Sequence, residues 1–307
     1  MEDFLIFSGK SHPELAKSVC QELETKLSQT KIQDYSTGCS ETFFEEDVKG
    51  KTVFLFQTSL PESAVLHKDI WDLLQMVNAA RTCGAKKIIA VMPYVSYARS
   101  DKTDYPGMGI GGELLAKLLE KSGINGFIGV DFHSEMMEKF FSVDVFHLSA
   151  IDLMAEALKE RDLKNALILP PDMGAFNEAA VLAKRLGVPV GQVDKERISD
   201  SEVKAKVMEG DLDGKDVIIF DDEIATGGTM KALAKEIESR VNSLTFAVTH
   251  GLFSGNAVNS FKEIKKLKEI IVTDTIPIKE EAKKALPLRI LSVDRLLADR
   301  IRDICKG

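Results

Sequence analysis

Residues 217–230, VIIFDDEIATGGTM, join three unlike chemistries in one short run. Four apolar residues lead into adjacent carboxylates, Asp221 and Asp222. Ala225, Thr226, Gly227, Gly228 and Thr229 follow two residues on, and then a helical pattern begins. Glycines between a strand and a helix let successive backbone N–H groups point at one ligand. The helix N-terminus adds partial positive charge, so such a loop suits a phosphate. Thr226 and Thr229 add hydroxyl donors, and a β-branched side chain at Gly228 is expected to obstruct the cradle. Two carboxylates would repel that phosphate, but they can accept hydrogen bonds from vicinal hydroxyls several ångströms away. A sugar phosphate meets both demands, with its anionic end on the loop and its diol on Asp221 and Asp222.

Short apolar runs must deliver these residues. TVFLF, KIIAVMP, GFIGVDF, ALILP, VPVGQV, DVIIF, LTFAVTH and EIIVTDTI are too short for helices and are bounded by Gly, Pro or charge. They read as buried strands of parallel sheets. Between them, MKALAKEIESRV and IDLMAEALKE place apolar residues on one helical face. The alternation predicts a doubly wound α/β architecture. GKTVFLFQTS from Gly50 and GKDVIIFDDE from Gly214 each precede a helix and another strand, which suggests a duplicated domain. Only the second copy carries the Asp-Asp and Thr-Gly-Gly-Thr chemistry. The boundary is expected near 146–150.

The 307 residues fit two modest domains, and 44% hydrophobic residues supply two cores. A formal net charge of −8 argues against nucleic-acid binding and against an anionic membrane surface. No run approaches a membrane span. Cys20, Cys39, Cys83 and Cys305 show neither disulfide nor zinc spacing. The N-terminus, acidic and then helical, is unlike a secretory signal, and a soluble cytoplasmic protein is expected.

Other segments occur in a telling order: FSGKSHPELAKSV near the start, YVSYARSDK at 94–102, GVDFHSEMMEKFF at 129–141, LPPDMGAFNE at 169–178, DKER at 194–197, THGLFSG at 249–255 and DTIPI at 274–278. Together with the 217–230 run they make the chain resemble the ribose-phosphate diphosphokinase (PRPP synthase) family nearly end to end. The resemblance implies two duplicated phosphoribosyltransferase-like domains with mainly parallel sheets flanked by helices. Residues 1–147 would form the nucleotide side, completed by 290–307, and residues 148–289 the ribose 5-phosphate side. The implied reaction moves the β,γ-diphosphoryl group of ATP to ribose 5-phosphate, giving PRPP and AMP. A non-catalytic regulatory paralogue and a PRPP-using phosphoribosyltransferase are the alternatives. The resemblance also implies Mg²⁺, no nucleic acid or membrane partner, and a homo-oligomer, dimer or hexamer, with a nucleotide site shared between subunits.

Carried over residue by residue, the resemblance puts His133 at the metal and the ATP phosphates, Asp172 at the metal, and Asp131 one layer behind. Lys195 and Arg197 match a basic catalytic pair on a mobile loop. Arg99, Ser100 and Asp101 stand at the family's RQD nucleotide residues, with Ser100 replacing the glutamine. YSTGC (35–39) stands where the family has FSDGE: Tyr35 keeps the aromatic wall, whereas Thr37 and Cys39 remove both carboxylates unless Glu41 substitutes. Ala175, Asn177 and Glu178 replace a glycine and two basic residues, and Ala225 replaces a common aspartate. These departures predict a broadened choice of nucleotide donor.

Overall fold

In the computed structural model residues 3–306 are described, apart from 62, 104, 198–202 and 210, with the backbone alone at 63–64, 194–197 and 203–209. The chain runs β1 (Phe4–Ser8), α1 (Pro13–Glu22), β2 (Leu27–Ser28), β3 (Thr30–Asp34), β4 (Ser40–Phe44), β5 (Thr52–Phe56), α2 (Ser63–Thr82), β6 (Lys87–Val91), α3 (Gly111–Ser122), β7 (Gly126–Val130), α4 (Met136–Lys139) and β8 (Asp144–Leu148). It continues through α5 (Ile151–Lys159), β9 (Ala166–Leu169), α6 (Phe176–Leu186), β10 (Gln192–Arg197), β11 (Val203–Glu209), β12 (Asp216–Ile224) and α7 (Gly228–Ile237). The remaining elements are β13 (Ser243–Gly251), α8 (Ala257–Lys262), β14 (Leu267–Thr273), α9 (Glu280–Ala285), β15 (Leu288–Leu291) and α10 (Asp294–Lys306).

Two compact units result. The first comprises 1–149 with 275–277 and 292–307, and the second 150–274 with 278–291. In the first, a parallel sheet runs β2-β1-β5-β6-β7-β8, and in the second β15-β14-β13-β12-β9. Matching β1 to β9, β5 to β12, β6 to β13, β7 to β14 and β8 to β15 superposes the two orders. The repeat extends to single hydrogen bonds. Gly50 N–H donates to Gly84 O and Gly214 N–H to Arg240 O, both at 2.8 Å. Lys51 N–H reaches Val48 O and Lys215 N–H reaches Leu212 O, both at 3.1 Å. Gly50 and Gly214 have φ of +74° and +72°, the left-handed turn that glycine adopts without strain. The fold is therefore α/β with two phosphoribosyltransferase-like domains.

The cores follow from pattern. Every residue of β5 and of β9 is buried, as expected for strands covered by helices on both faces. Helix α7 buries Met230, Leu233, Ala234 and Ile237, one stripe at helical spacing. Each such large apolar side chain contributes about 1.5–3 kcal/mol on leaving water.

Three segments differ from the sequence expectation. The N-terminal run FLIFS is the strand β1, central between β2 and β5, because four consecutive apolar residues fit a doubly covered strand position. VPVGQV is not one buried sheet strand. Val190 makes a single parallel bridge with Ile168, and the chain then leaves as β10, antiparallel to β11. Pro189 lacks an N–H and confines this stretch to the sheet edge, where its carbonyl accepts from Ile168 N–H at 3.0 Å. Finally, 35–39, to which the sequence reading gives no secondary structure, is the tip of an antiparallel hairpin, β3–β4.

Candidate active site

In the second unit, β12 pairs with β9 so that Ile219 stands opposite Leu169. Both strands run the same way; β9 ends at Leu169 while β12 continues to Ile224, and Asp172, three residues past Leu169, comes near enough to Asp221 for its charge to act on that carboxyl. This is the carboxyl edge of a parallel sheet, where α/β folds bind ligands. Burial holds the Asp221 carboxyl well above the usual carboxylate range, with the neighbouring charges of Asp222 and Asp172 adding to the effect. Asp222 N–H donates to Asp221 Oδ1 at 3.0 Å, and Gly174 N–H donates to Asp172 Oδ1 at 2.9 Å.

The loop after β12 is built around Gly227, with φ +72°, at the N-cap of α7. A Cβ there would lie 2.5 Å from Phe261 Cε2. Phe261 is fully buried and packs edge-on against Phe246 and Phe253. Gly228 has no positive φ, and its added Cβ would meet nothing nearer than Thr226 Oγ1 at 3.8 Å. The conformational demand expected at Gly228 therefore falls on Gly227, because Phe261 closes the space behind it. Segment 252–254 braces the loop from below: Leu252 and Phe253 N–H reach Ile224 O, and Ser254 N–H reaches Ala225 O at 2.9 Å. Thr226, Gly228 and Thr229 are exposed, and no side chain caps α7. The first backbone N–H groups of a helix have no partner within it, so this end can receive an anion.

The sequence-predicted nucleotide residues all belong to the first unit. Hairpin turn 35–39 is closed by Tyr35 N–H to Cys39 O at 2.9 Å. Thr37 and Cys39 are exposed. Tyr35 is 39% exposed, and its hydroxyl donates 2.7 Å to Glu41 Oε2, a bond that raises the phenol's pKa. Glu41 thus enters the segment through Tyr35. The hairpin is held beside the turn on both strands: Asp34 pairs with Lys10 at 2.7 Å and Lys68 at 2.9 Å. Ser40 Oγ donates to buried Asp72 at 2.9 Å, and Asp72 also takes Lys68.

Arg99, Ser100 and Asp101 follow β6. Arg99 is exposed. Ser100 Oγ accepts the Gly111 N–H at 2.9 Å, so its hydroxyl holds the start of α3. His133 is exposed just beyond β7, and Asp131 before it has φ +37°. β6 and β7 are parallel neighbours, which sets these two groups on one sheet edge. Lys195 and Arg197 lie on β10, opposite Ala205 and Val203. Their backbone is a ribbon strand, and their side chains lie outside the described residues. Asp172 belongs to the second unit and His133 to the first. Among the described residues, no three His, Cys, Asp or Glu side chains form a group that could hold a metal. Sequence reading missed His147 and Glu138, whose hydrogen bonds lead to the Phe132 amide beside His133: His147 lies outside the quoted segments, and Glu138, although inside 129–141, has no role there that its residue type announces.

Two sheets of one strand order, the second ending in paired carboxylates and an αL-glycine loop, define a duplicated phosphoribosyltransferase-type protein. Residues 145–278 match a family profile described as the phosphoribosyl transferase domain. Residues 4–123 match the N-terminal domain of ribose phosphate pyrophosphokinase. A putative ribose-phosphate pyrophosphokinase of Streptomyces coelicolor is 38% identical, over 100% of this chain and 96% of that relative. A ribose-phosphate pyrophosphokinase of Helicobacter hepaticus is 37% identical, over 99% and 97% of the two chains. The crystal structure of phosphoribosylpyrophosphate synthetase from Mycobacterium smegmatis superposes with a TM-score of 0.92 at 30% identity, covering 99% of each chain. The chain belongs to the ribose-phosphate pyrophosphokinase family.

Proposed function

We propose that the chain transfers the β,γ-diphosphoryl group of ATP to the anomeric hydroxyl of ribose 5-phosphate, yielding PRPP and AMP. The observation that carries this reading is the juxtaposition of Asp221 and Asp222 with the Gly227 loop at the head of α7. The 5-phosphate sits against the N–H groups and hydroxyls of 225–229. Asp221 and Asp222 accept hydrogen bonds from the ribose 2- and 3-hydroxyls, which orients the anomeric oxygen. That oxygen attacks the β-phosphorus and loses its proton; the bond from the β-phosphorus to the bridging oxygen breaks, and that oxygen leaves with AMP. Charge accumulates on equatorial phosphoryl oxygens, so positioning and fixed charge carry the catalysis.

Lys195 and Arg197 supply positive charge to the migrating group. Tyr35 and Arg99 bracket the donor base by stacking, and Asp101 and His133 complete the donor side. Thr37 and Cys39 offer neutral groups at the base edge. The domain roles follow: 1–147 with 290–307 takes the nucleotide, and 148–289 takes ribose 5-phosphate.

Mg²⁺ fits the residues present. Asp172, Asp221 and Asp222 supply hard oxygen donors on one sheet edge, the donor type Mg²⁺ takes. Mg²⁺ retains waters and uses few protein ligands, so a closed protein cage is not required. The family resemblance assigns His133 and Asp172 as its ligands, and when bound it would neutralise phosphate charge. No described helix is long and apolar enough to cross a membrane. A cytoplasmic homo-oligomer whose nucleotide site is shared between subunits completes the proposal. Incubation with ribose 5-phosphate, ATP and Mg²⁺ tests it: AMP and PRPP should form in equal amounts, whereas absence of turnover would favour the regulatory paralogue.

A further inference from the structure

The turn that presents His133 is held in part by two side chains, His147 and Glu138, to which the sequence reading gives no role. Asp131, with φ +37°, occupies a left-handed conformation that a non-glycine residue adopts only when its surroundings enforce it. Its N–H donates to Leu148 O at 2.8 Å, tying the end of β7 to the end of β8. The next amide, Phe132 N–H, donates 2.9 Å to His147 Nε2. A ring nitrogen that accepts carries no proton, so the proton of neutral His147 is on Nδ1. Nδ1 lies 2.6 Å from Glu138 Oε1, which accepts it.

Packing acts on the same turn. The Phe132 ring stacks on the His147 imidazole, with centroids 4.3 Å apart and planes at 16°. Gly129 makes room for that ring, since a Cβ there would lie 2.2 Å from Phe132 Cε1. The carboxylate fixes the imidazole tautomer, the imidazole fixes the Phe132 amide, and His133 is the next residue.

We propose that His147 and Glu138 are positioning residues that set the direction in which His133 leaves β7. The inference rests on the proposed role of His133 in the diphosphoryl transfer. Neither residue touches substrate. Both act through the backbone of 131–133, so their loss misplaces a reacting group without removing a binding contact for ribose 5-phosphate.

The test compares His147→Phe, His147→Gln, Glu138→Leu, His133→Ala and the double variant His133→Ala/His147→Phe in the full-length chain. His147→Phe keeps an aromatic partner for Phe132 but removes the acceptor, whereas glutamine restores an acceptor oxygen. Misplacing a reacting group by about 1 Å costs on the order of 100-fold. His147→Phe should therefore lower kcat by roughly 10- to 100-fold with the ribose 5-phosphate KM changed less than about twofold. His147→Gln should recover most of the loss, Glu138→Leu should fall between, and the double variant should lose no more than His133→Ala alone. In an ¹⁵N-resolved spectrum the Phe132 amide proton should move upfield in His147→Phe and return towards its original position in His147→Gln. Full kcat in His147→Phe beside a crippled His133→Ala would overturn the inference alone, as would an unmoved Phe132 amide or an equal loss in His147→Gln. Full activity in His133→Ala would instead overturn the reading on which the inference rests.

Discussion

Replacing Gly227 by alanine probes the sugar-phosphate loop at its tightest point. Alanine must adopt φ +72°, and its Cβ would lie 2.5 Å and 2.9 Å from Phe261 Cε2 and Cζ. The left-handed backbone costs about 1–2 kcal/mol for a residue with a Cβ. Phe261 cannot retreat freely, because Phe246 at 5.1 Å and Phe253 at 6.4 Å pack its edge, so overpacking adds about 1–3 kcal/mol. The sum, about 2–5 kcal/mol, should lower the Tm of the second unit by roughly 5–15 °C. Alanine at Gly228 meets open space and ordinary helical backbone, so its effect should stay within about 1 kcal/mol of zero. Thermal unfolding gives the first number, and the KM for ribose 5-phosphate gives the functional one. That KM should rise strongly in Gly227→Ala and little in Gly228→Ala. Equal behaviour of the two variants, or a larger defect at Gly228, would refute the assignment of the strained position.

Burial and neighbouring carboxylates raise the pKa of Asp221, so the folded state holds its proton more tightly than the unfolded chain does. Stability contributed at this site is present at low pH and falls as pH rises from the ordinary carboxylate value towards the raised one. Asp221→Asn should therefore raise Tm at pH 8 and lose that advantage near pH 3, and Mg²⁺ should stabilise it less than the unmodified protein; no pH dependence in the Tm difference would contradict this. Lys195→Ala should lower kcat by on the order of 100-fold with KM values little changed, and a normal kcat would leave DKER as a solvated run. If, as proposed, Thr37 and Cys39 face the base edge, they offer no carboxylate there, and kcat/KM for GTP should approach that for ATP more closely than in Thr37→Asp/Cys39→Glu. Strict ATP preference in the unmodified chain would point to Glu41, which Tyr35 already engages.

The contiguous chemistry was legible in the sequence. Asp221 to Thr229 lie in one run, and strand followed by helix places them without distant information. The duplication was also visible, since Gly50-Lys51 and Gly214-Lys215 open equivalent strands with equivalent hydrogen bonds. What escaped depended on packing between distant residues. The difference between Gly227 and Gly228 is set by Phe261 on α8, which no local pattern announces. The hairpin around 35–39 alternates polar and apolar residues too weakly to read as strands, and it is fixed by Lys10, Lys68 and Asp72 from other elements. His147 and Glu138 act through a backbone amide, which leaves no residue-type signature. Position alone suggested Ser100 for the nucleotide side; that its hydroxyl also accepts the Gly111 N–H at the head of α3 is a contact no local pattern announces.

The most direct test of the central claim is ³¹P NMR of the purified chain with ATP, ribose 5-phosphate and Mg²⁺. The account predicts that AMP and a C1 diphosphate resonance appear together, in equal amounts, and only when ribose 5-phosphate is present. ADP in place of AMP, or nucleotide loss independent of ribose 5-phosphate, would contradict it.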